Sequence, residues 1–189
     1  MIFLGGVHGV GKSSMCSEVA RKIGLTVFSA SAIIRAERQV LSADSRTAVR
    51  DVSGNQELLI QGVRKRAPES SGYFVLDGHF ALRTLGGAIE RIDPAVFVAL
   101  GIDHFICVRD DPQAIAARLL ERDGAIHRMD DIVSLQSEEL DHARYVSREL
   151  HTHLDVIQAF DHIGFEACLR HSASDYLAAN RCPDDGPGK

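Results

Sequence analysis

Gly6, Gly11, Lys12 and Ser13 fall in the spacing G-x-x-x-x-G-K-[ST], inside the stretch GGVHGVGKSS that follows the apolar run Ile2, Phe3 and Leu4. A turn this rich in glycine loses more backbone entropy on folding than other sequences do, so its bare backbone must serve a close approach. The chemistry it suits is anion binding. Glycines let successive N–H groups converge on phosphate oxygens, a helix starting just beyond adds the partial positive charge of its N-terminus, and Lys12 extends to the terminal phosphates. The Ser13 hydroxyl is a hard oxygen donor of the kind Mg²⁺ takes. The expected ligands are ATP and Mg²⁺, with Gly6, His8, Gly9, Val10, Gly11, Lys12, Ser13 and Ser14 around the phosphates. The spacing leaves position 8 free, so His8 either touches phosphate or fills a variable position.

A phosphate site serves hydrolases, switches and kinases alike, so the reaction has to be read from what faces it. Asp77 ends the apolar run YFVLD, the place from which a carboxylate orients Mg²⁺ or its water shell together with Ser13. Arg118 and Arg122 lie one helical turn apart, and Arg128 follows after a short loop containing Gly124; cations so placed spread the charge of a phosphoryl group in transit. The same arginines also suit an ordinary salt-bridged surface, since Glu121, Asp123, Asp130 and Asp131 are close by. An acceptor phosphate has to be held in line with the γ-phosphate, and the planar fork of Arg35, behind Ser29 and Ser31, is fit for that. His79 and Arg83 follow Asp77 and are candidates for the same acceptor; His79 equally suits a hydrogen-bonded ring beneath the loop. In VSGNQELLI, the amides of Asn55 and Gln56 are able to read a base edge, while a helix cap at Ser53 or Asn55 explains the same residues with less assumption.

Over about residues 1 to 160 these segments resemble the P-loop nucleoside monophosphate kinases, and in particular the archaeal-type adenylate kinases and similar small bacterial ATP-binding proteins. The resemblance implies that Ser29, Ser31 and Arg35 grip the acceptor phosphate within an acceptor-binding insertion at about 29–70. It also implies that Arg118, Arg122 and Arg128, with Asp130 and Asp131, flank a lid reduced to about 122–128. In the family an arginine follows the LDG segment sooner than Arg83 does here, and Arg144 and Arg148 match no family position plainly. The implied activity is transfer of the ATP γ-phosphate to a nucleoside monophosphate. Two other readings stand beside it: a P-loop kinase with a non-nucleotide or nucleic-acid-end acceptor, and an ATP-bound switch or accessory protein, of the defence or toxin–antitoxin sort, with slow turnover.

These residues need a scaffold that brings distant segments to one edge. Short β-branched and aromatic runs recur as IFL (2–4), LTVF (25–28), YFVL (73–76), HFICV (104–108) and LDVI (154–157), separated by segments of helical spacing. The alternation predicts an α/β fold, a three-layer α/β/α sandwich of P-loop NTPase type with a five-stranded parallel sheet. Asp93 and Asp111 each precede a proline, which predicts two helix starts. A helix is expected over Asn55–Arg66, and another over Asp131–Leu150, with Ile132, Leu135, Leu140, Ala143, Val146 and Leu150 on its buried face. At 189 residues one domain over 1–180 is expected, with a disordered tail at 181–189. The net charge of −5 gives no basic footprint for nucleic acid, so the partner is a small molecule. Cys16, Cys107, Cys168 and Cys182 lack the spacing of a zinc ribbon or disulfide framework, and no apolar run approaches a membrane span, so the chain reads as soluble and cytoplasmic.

Overall fold

Where β-branched and aromatic residues run together the chain pairs into a sheet, and between those runs it coils into helices that cover both faces. The computed structural model describes residues 1–44, 52–67, 73–84, 86–124 and 126–179. In chain order the elements are β1 (Ile2–Gly5), α1 (Lys12–Ile23), β2 (Thr26–Ser29), α2 (Ala30–Asp44), α3 (Val52–Arg66), β3 (Phe74–Asp77), β4 (Ala81–Arg83) and β5 (Ile89–Arg91). They continue with α4 (Pro94–Leu100), β6 (His104–Arg109), α5 (Pro112–Asp123), α6 (Met129–Glu149), β7 (His153–Gln158), α7 (His162–Ser172) and α8 (Ser174–Ala179).

Five strands form one parallel sheet in the order β2-β3-β1-β6-β7, as the alternation of runs predicts. The register sets Leu4 opposite Asp77 and Phe28 opposite Leu76, which brings the ends of β1, β2 and β3 to one edge. Side chains alternate across the sheet. Ile2, Leu4, Val75, Ile106 and Val108 face a core closed by Met15 and Val19 of α1 and Phe165 and Leu169 of α7. Phe3, Phe74, Leu76 and Phe105 face a second core closed by Leu59 of α3, Phe97 of α4 and Val146 of α6. Burial on both faces is what makes these strands read as continuous apolar runs.

Both predicted proline starts are helix starts: the Asp93 carboxylate accepts from Ala95 N at 2.8 Å, and that of Asp111 from Gln113 N at 2.8 Å and Ala114 N at 3.1 Å. Two features depart from the expected outline. β4 and β5 form a separate antiparallel hairpin after Asp77, in a stretch where no strand was expected. Helix α3 begins at Val52, so Asn55 sits inside the helix rather than capping it. The side chain of Ser53, Cys182 and the 181–189 tail lie outside the described residues. No helix among the described residues is long and apolar enough to cross a membrane.

Candidate functional site

The turn between β1 and α1 owes its shape to glycine. Gly6 adopts φ 139°, and a Cβ there would stand 2.5 Å from the Val108 carbonyl oxygen; Gly11 adopts φ 111°, with the Phe160 ring 3.0 Å from where its Cβ would be. Gly11 also caps α1, leaving the first amides of that helix open toward the turn. The Lys12 ammonium is buried, donates to the Gly6 carbonyl and, at 3.3 Å, to that of Val7, and stands 3.8 Å from Asp77 Oδ1. Burial lowers its pKa, against the opposing pull of Asp77 and Glu139. Ser13 Oγ donates to Asp77 Oδ2 at 3.4 Å. Burial raises the Asp77 carboxyl, against the opposing pull of Lys12 and Ser13. A hydroxyl and a carboxylate side by side at the mouth of a helix N-terminus are a hard oxygen donor pair, and they fit Mg²⁺.

A cavity of about 490 Å³ opens beside this turn. Its donor end is lined by His8, Gly9, Gly11, Lys12, Ser13, Ser14, Arg118 and Arg122; its far end reaches Ser29, Ser31, Asn55 and Gln56; Asp77 and His79 lie between. Of the remaining turn residues, Gly6 contributes its carbonyl to Lys12, and Val10 is wholly buried in the core. Ser29 and Ser31 hydroxyls are 3.0 Å apart, and Asn55 Oδ1 accepts from Arg38, which ties α3 to α2. The inner wall is apolar, built by Ile34, Leu59, Leu82, Val96, Phe97 and Leu100.

The arginines are distributed unevenly. Arg118 Nε donates to the Gly9 carbonyl at 2.7 Å, its guanidinium pairs with Asp110, and it lies 5.1 Å from the centre of the Phe160 ring. Arg122 pairs with Asp123 through two bonds of 2.6 and 2.7 Å, and Arg128 is exposed at the start of α6. Arg35 is exposed on α2, one turn beyond Ser31, and does not line the cavity. Arg83 points away from it, donating to the Gly87 carbonyl at 2.7 Å and the Asp131 carbonyl at 3.1 Å, with the Asp131 carboxylate at 3.4 Å. The two histidines come together: the rings of His8 and His79 are 4.2 Å apart. Shelter in the cleft, with His79, Lys12 and Arg122 near, lowers His8 to about 4. His79 is lowered as well, first by burial and then by Lys12.

Glu139 is the residue that sequence reasoning missed. It is 1% exposed in the middle of α6; Oε1 bonds His79 Nδ1 at 2.7 Å and Oε2 accepts from Phe80 N at 2.6 Å and Ala81 N at 3.3 Å. Burial pushes its carboxyl up to about 7 against the pull of Lys12 and the two amides. A signal existed: Glu139 stands four residues from both Leu135 and Ala143, on the apolar stripe, where a charged residue needs a buried partner. Phe160, at φ 63° and packed beside Gly11 under Arg118, had no comparable signal.

A parallel five-stranded sheet with a glycine turn, lysine and serine at the end of β1 and an aspartate at the end of β3 defines an α/β fold of P-loop kinase type. The chain belongs to the AAA domain family, whose model matches residues 5–136. Among solved structures it is similar to a gluconokinase from Sinorhizobium meliloti 1021, with a TM-score of 0.52 and 14% identity over 94% of this chain and 93% of that one. It is also similar to an uncharacterized protein from Eubacterium ventriosum, with a TM-score of 0.49 and 14% identity over 94% and 97% of the two chains. No curated protein matches the sequence.

Proposed function

We propose that the protein is an ATP- and Mg²⁺-dependent phosphotransferase acting on a small molecule, with a nucleoside monophosphate as the first acceptor to consider. One observation carries this reading: a single cavity is lined both by Gly9, Gly11, Lys12, Ser13 and Ser14 of the glycine turn and by Ser29, Ser31, Asn55 and Gln56, so a phosphate donor and an acceptor would meet in one space. The turn and the α1 N-terminus hold the phosphates of ATP, Lys12 neutralises the terminal ones, and Arg118, which stands over the Phe160 ring, lines the same end of the cavity. Ser13 and Asp77 are the residues that would hold Mg²⁺, which supplies charge neutralisation on the β- and γ-phosphate oxygens when bound. Arg122, which lines the cavity, adds positive charge where the phosphoryl group moves, and Arg128, exposed at the start of α6, would have to swing toward the cavity to join it. Ser29 and Ser31 offer hydroxyls to the acceptor, and Arg35, one turn beyond, is a flexible side chain that would fold over its phosphate.

A second reading, a hydroxyl-bearing non-nucleotide acceptor, is favoured by one feature. The inner wall is apolar, and neither Arg35 nor Arg83 is among the residues lining it. The test is to incubate the protein with ATP and Mg²⁺ and, one at a time, each nucleoside monophosphate, nucleosides and gluconate, and to separate the products. ADP formed in step with one phosphorylated acceptor supports the kinase and names its substrate class. Slow ATP hydrolysis indifferent to every acceptor would leave the ATP-bound switch in its place. Lys12→Ala should abolish transfer at least a hundredfold, and retained turnover removes the lysine from the reaction.

A further inference from the structure

At the end of the sheet away from the glycine turn, a second group of chemically capable side chains converges. His104 opens β6 and His153 opens β7, and the parallel register sets them side by side. Asp155, two residues along β7, points to the same face. His104 Nε2 is 2.8 Å from Asp155 Oδ2, His153 Nε2 is 3.3 Å from Asp155 Oδ1, and the two imidazole rings are 4.8 Å apart. One donor atom from each of the three residues lies within 4.8 Å of the other two. The face is the one α7 covers. From α7, the Cys168 side chain lies beside Asp155, outside the group of three.

Nothing in the phosphotransferase reading uses these residues, and a hydrogen-bonded histidine alone accounts for only part of the arrangement. His104 is buried and would be satisfied by one carboxylate oxygen, yet the second oxygen is taken by another histidine. Two imidazoles, a carboxylate and a thiol drawn from three elements are the donor types of a tetrahedral zinc-like ion. Bonds of about 2.0–2.3 Å in a tetrahedron put neighbouring ligand atoms roughly 3.3–3.7 Å apart. The two spacings to Asp155, 2.8 and 3.3 Å, would open slightly, and donor atoms as far apart as 4.8 Å would draw together by about 1 Å.

We propose that His104, His153 and Asp155, with Cys168 as fourth ligand, form a binding site for a divalent transition-metal ion of the zinc type. The ion clamps β7 to β6 and to α7. β7 is an edge strand of the sheet, paired on one side by β6 alone, so a clamp acts where the sheet is least supported. His153, whose side chain is 64% exposed, gives the ion its entry path, while His104 at 5% closes the floor.

The test uses the full chain, stripped with a chelator under reducing conditions and titrated with ZnCl₂ against a chromogenic competitor. Wild type should bind one Zn²⁺ per chain, and His153→Ala should bind at least tenfold more weakly with an unchanged circular dichroism spectrum. Saturating Zn²⁺ should raise the melting temperature of wild type and leave that of His153→Ala in place. With Co²⁺, wild type should show tetrahedral visible bands and a thiolate charge-transfer band, the latter lost in Cys168→Ser. Less than stoichiometric Zn²⁺ binding by wild type, or equal affinity in His153→Ala, overturns the site. A charge-transfer band that survives in Cys168→Ser removes Cys168 from it.

Discussion

Replacing Glu139 by glutamine tests the least visible part of the candidate site. The carboxyl is held at about 7 in the folded chain against an ordinary 4.5, first by burial. Because the folded state keeps its proton more tightly, the unfolded chain releases a proton between those two values that the folded chain retains. The stabilisation is complete below 4.5 and is lost as pH rises through about 7. At about 1.4 kcal/mol per tenfold, the gap corresponds to roughly 3 kcal/mol, most of which falls between pH 5 and pH 8. Glutamine has no proton to lose, so urea unfolding of wild type should lose that much more stability across the interval than Glu139→Gln does, without nucleotide present. Parallel profiles, agreeing within about 0.5 kcal/mol, would refute the placement of a strained carboxyl at this position. Glu139→Leu separates charge from anchoring: it leaves the amides of Phe80 and Ala81 without an acceptor, at about 1–3 kcal/mol each. A loss smaller than about 1 kcal/mol in that variant would mean the amides find other partners.

Three further outcomes follow from single contacts. Gly11→Ala forces a side chain onto φ 111° and against the Phe160 ring, so stability should fall by about 1–2 kcal/mol and ADP affinity by calorimetry at least tenfold; an unchanged affinity would detach the turn from nucleotide. Asp111→Ala removes the cap of α5 and should cost about 1 kcal/mol in chemical unfolding, and no loss would mean Pro112 alone starts the helix. Arg35→Ala should raise the acceptor KM far more than the ATP KM, and equal effects on both would take Arg35 out of acceptor binding.

The donor end of the site was legible because its information is local. Gly6, Gly11, Lys12 and Ser13 fall within eight consecutive positions, and their spacing alone specifies the turn. The strands carrying it were legible too, since Phe3, Phe74 and Phe105 belong to runs buried on both faces. Pairing across the chain was not. His104 and His153 are neighbours only because β6 and β7 share a register, and no spacing in the sequence announces that. The cysteine spacing that argues against a zinc ribbon is silent about two histidines and an aspartate meeting on neighbouring strands.

The acceptor end shows the same limit from the other side. A hairpin with strands of three residues is too small to hold itself together, so β4 and β5 persist only through what α6 gives them. Glu139 takes the amides of Phe80 and Ala81, Asp131 and Glu138 pair with Arg83 and Arg91, and His142 bonds the Ile92 carbonyl oxygen at 2.6 Å. Read along the sequence, those are polar residues of a long amphipathic helix. In the fold they are the posts that hold Leu82 in the cavity wall and turn Arg83 outward, toward α6. The size and polarity of the far end of the cavity therefore depend on one face of α6; on the proposed phosphotransferase reading, substitutions at Glu138 or His142, which do not line the cavity, should alter acceptor choice before they alter ATP binding.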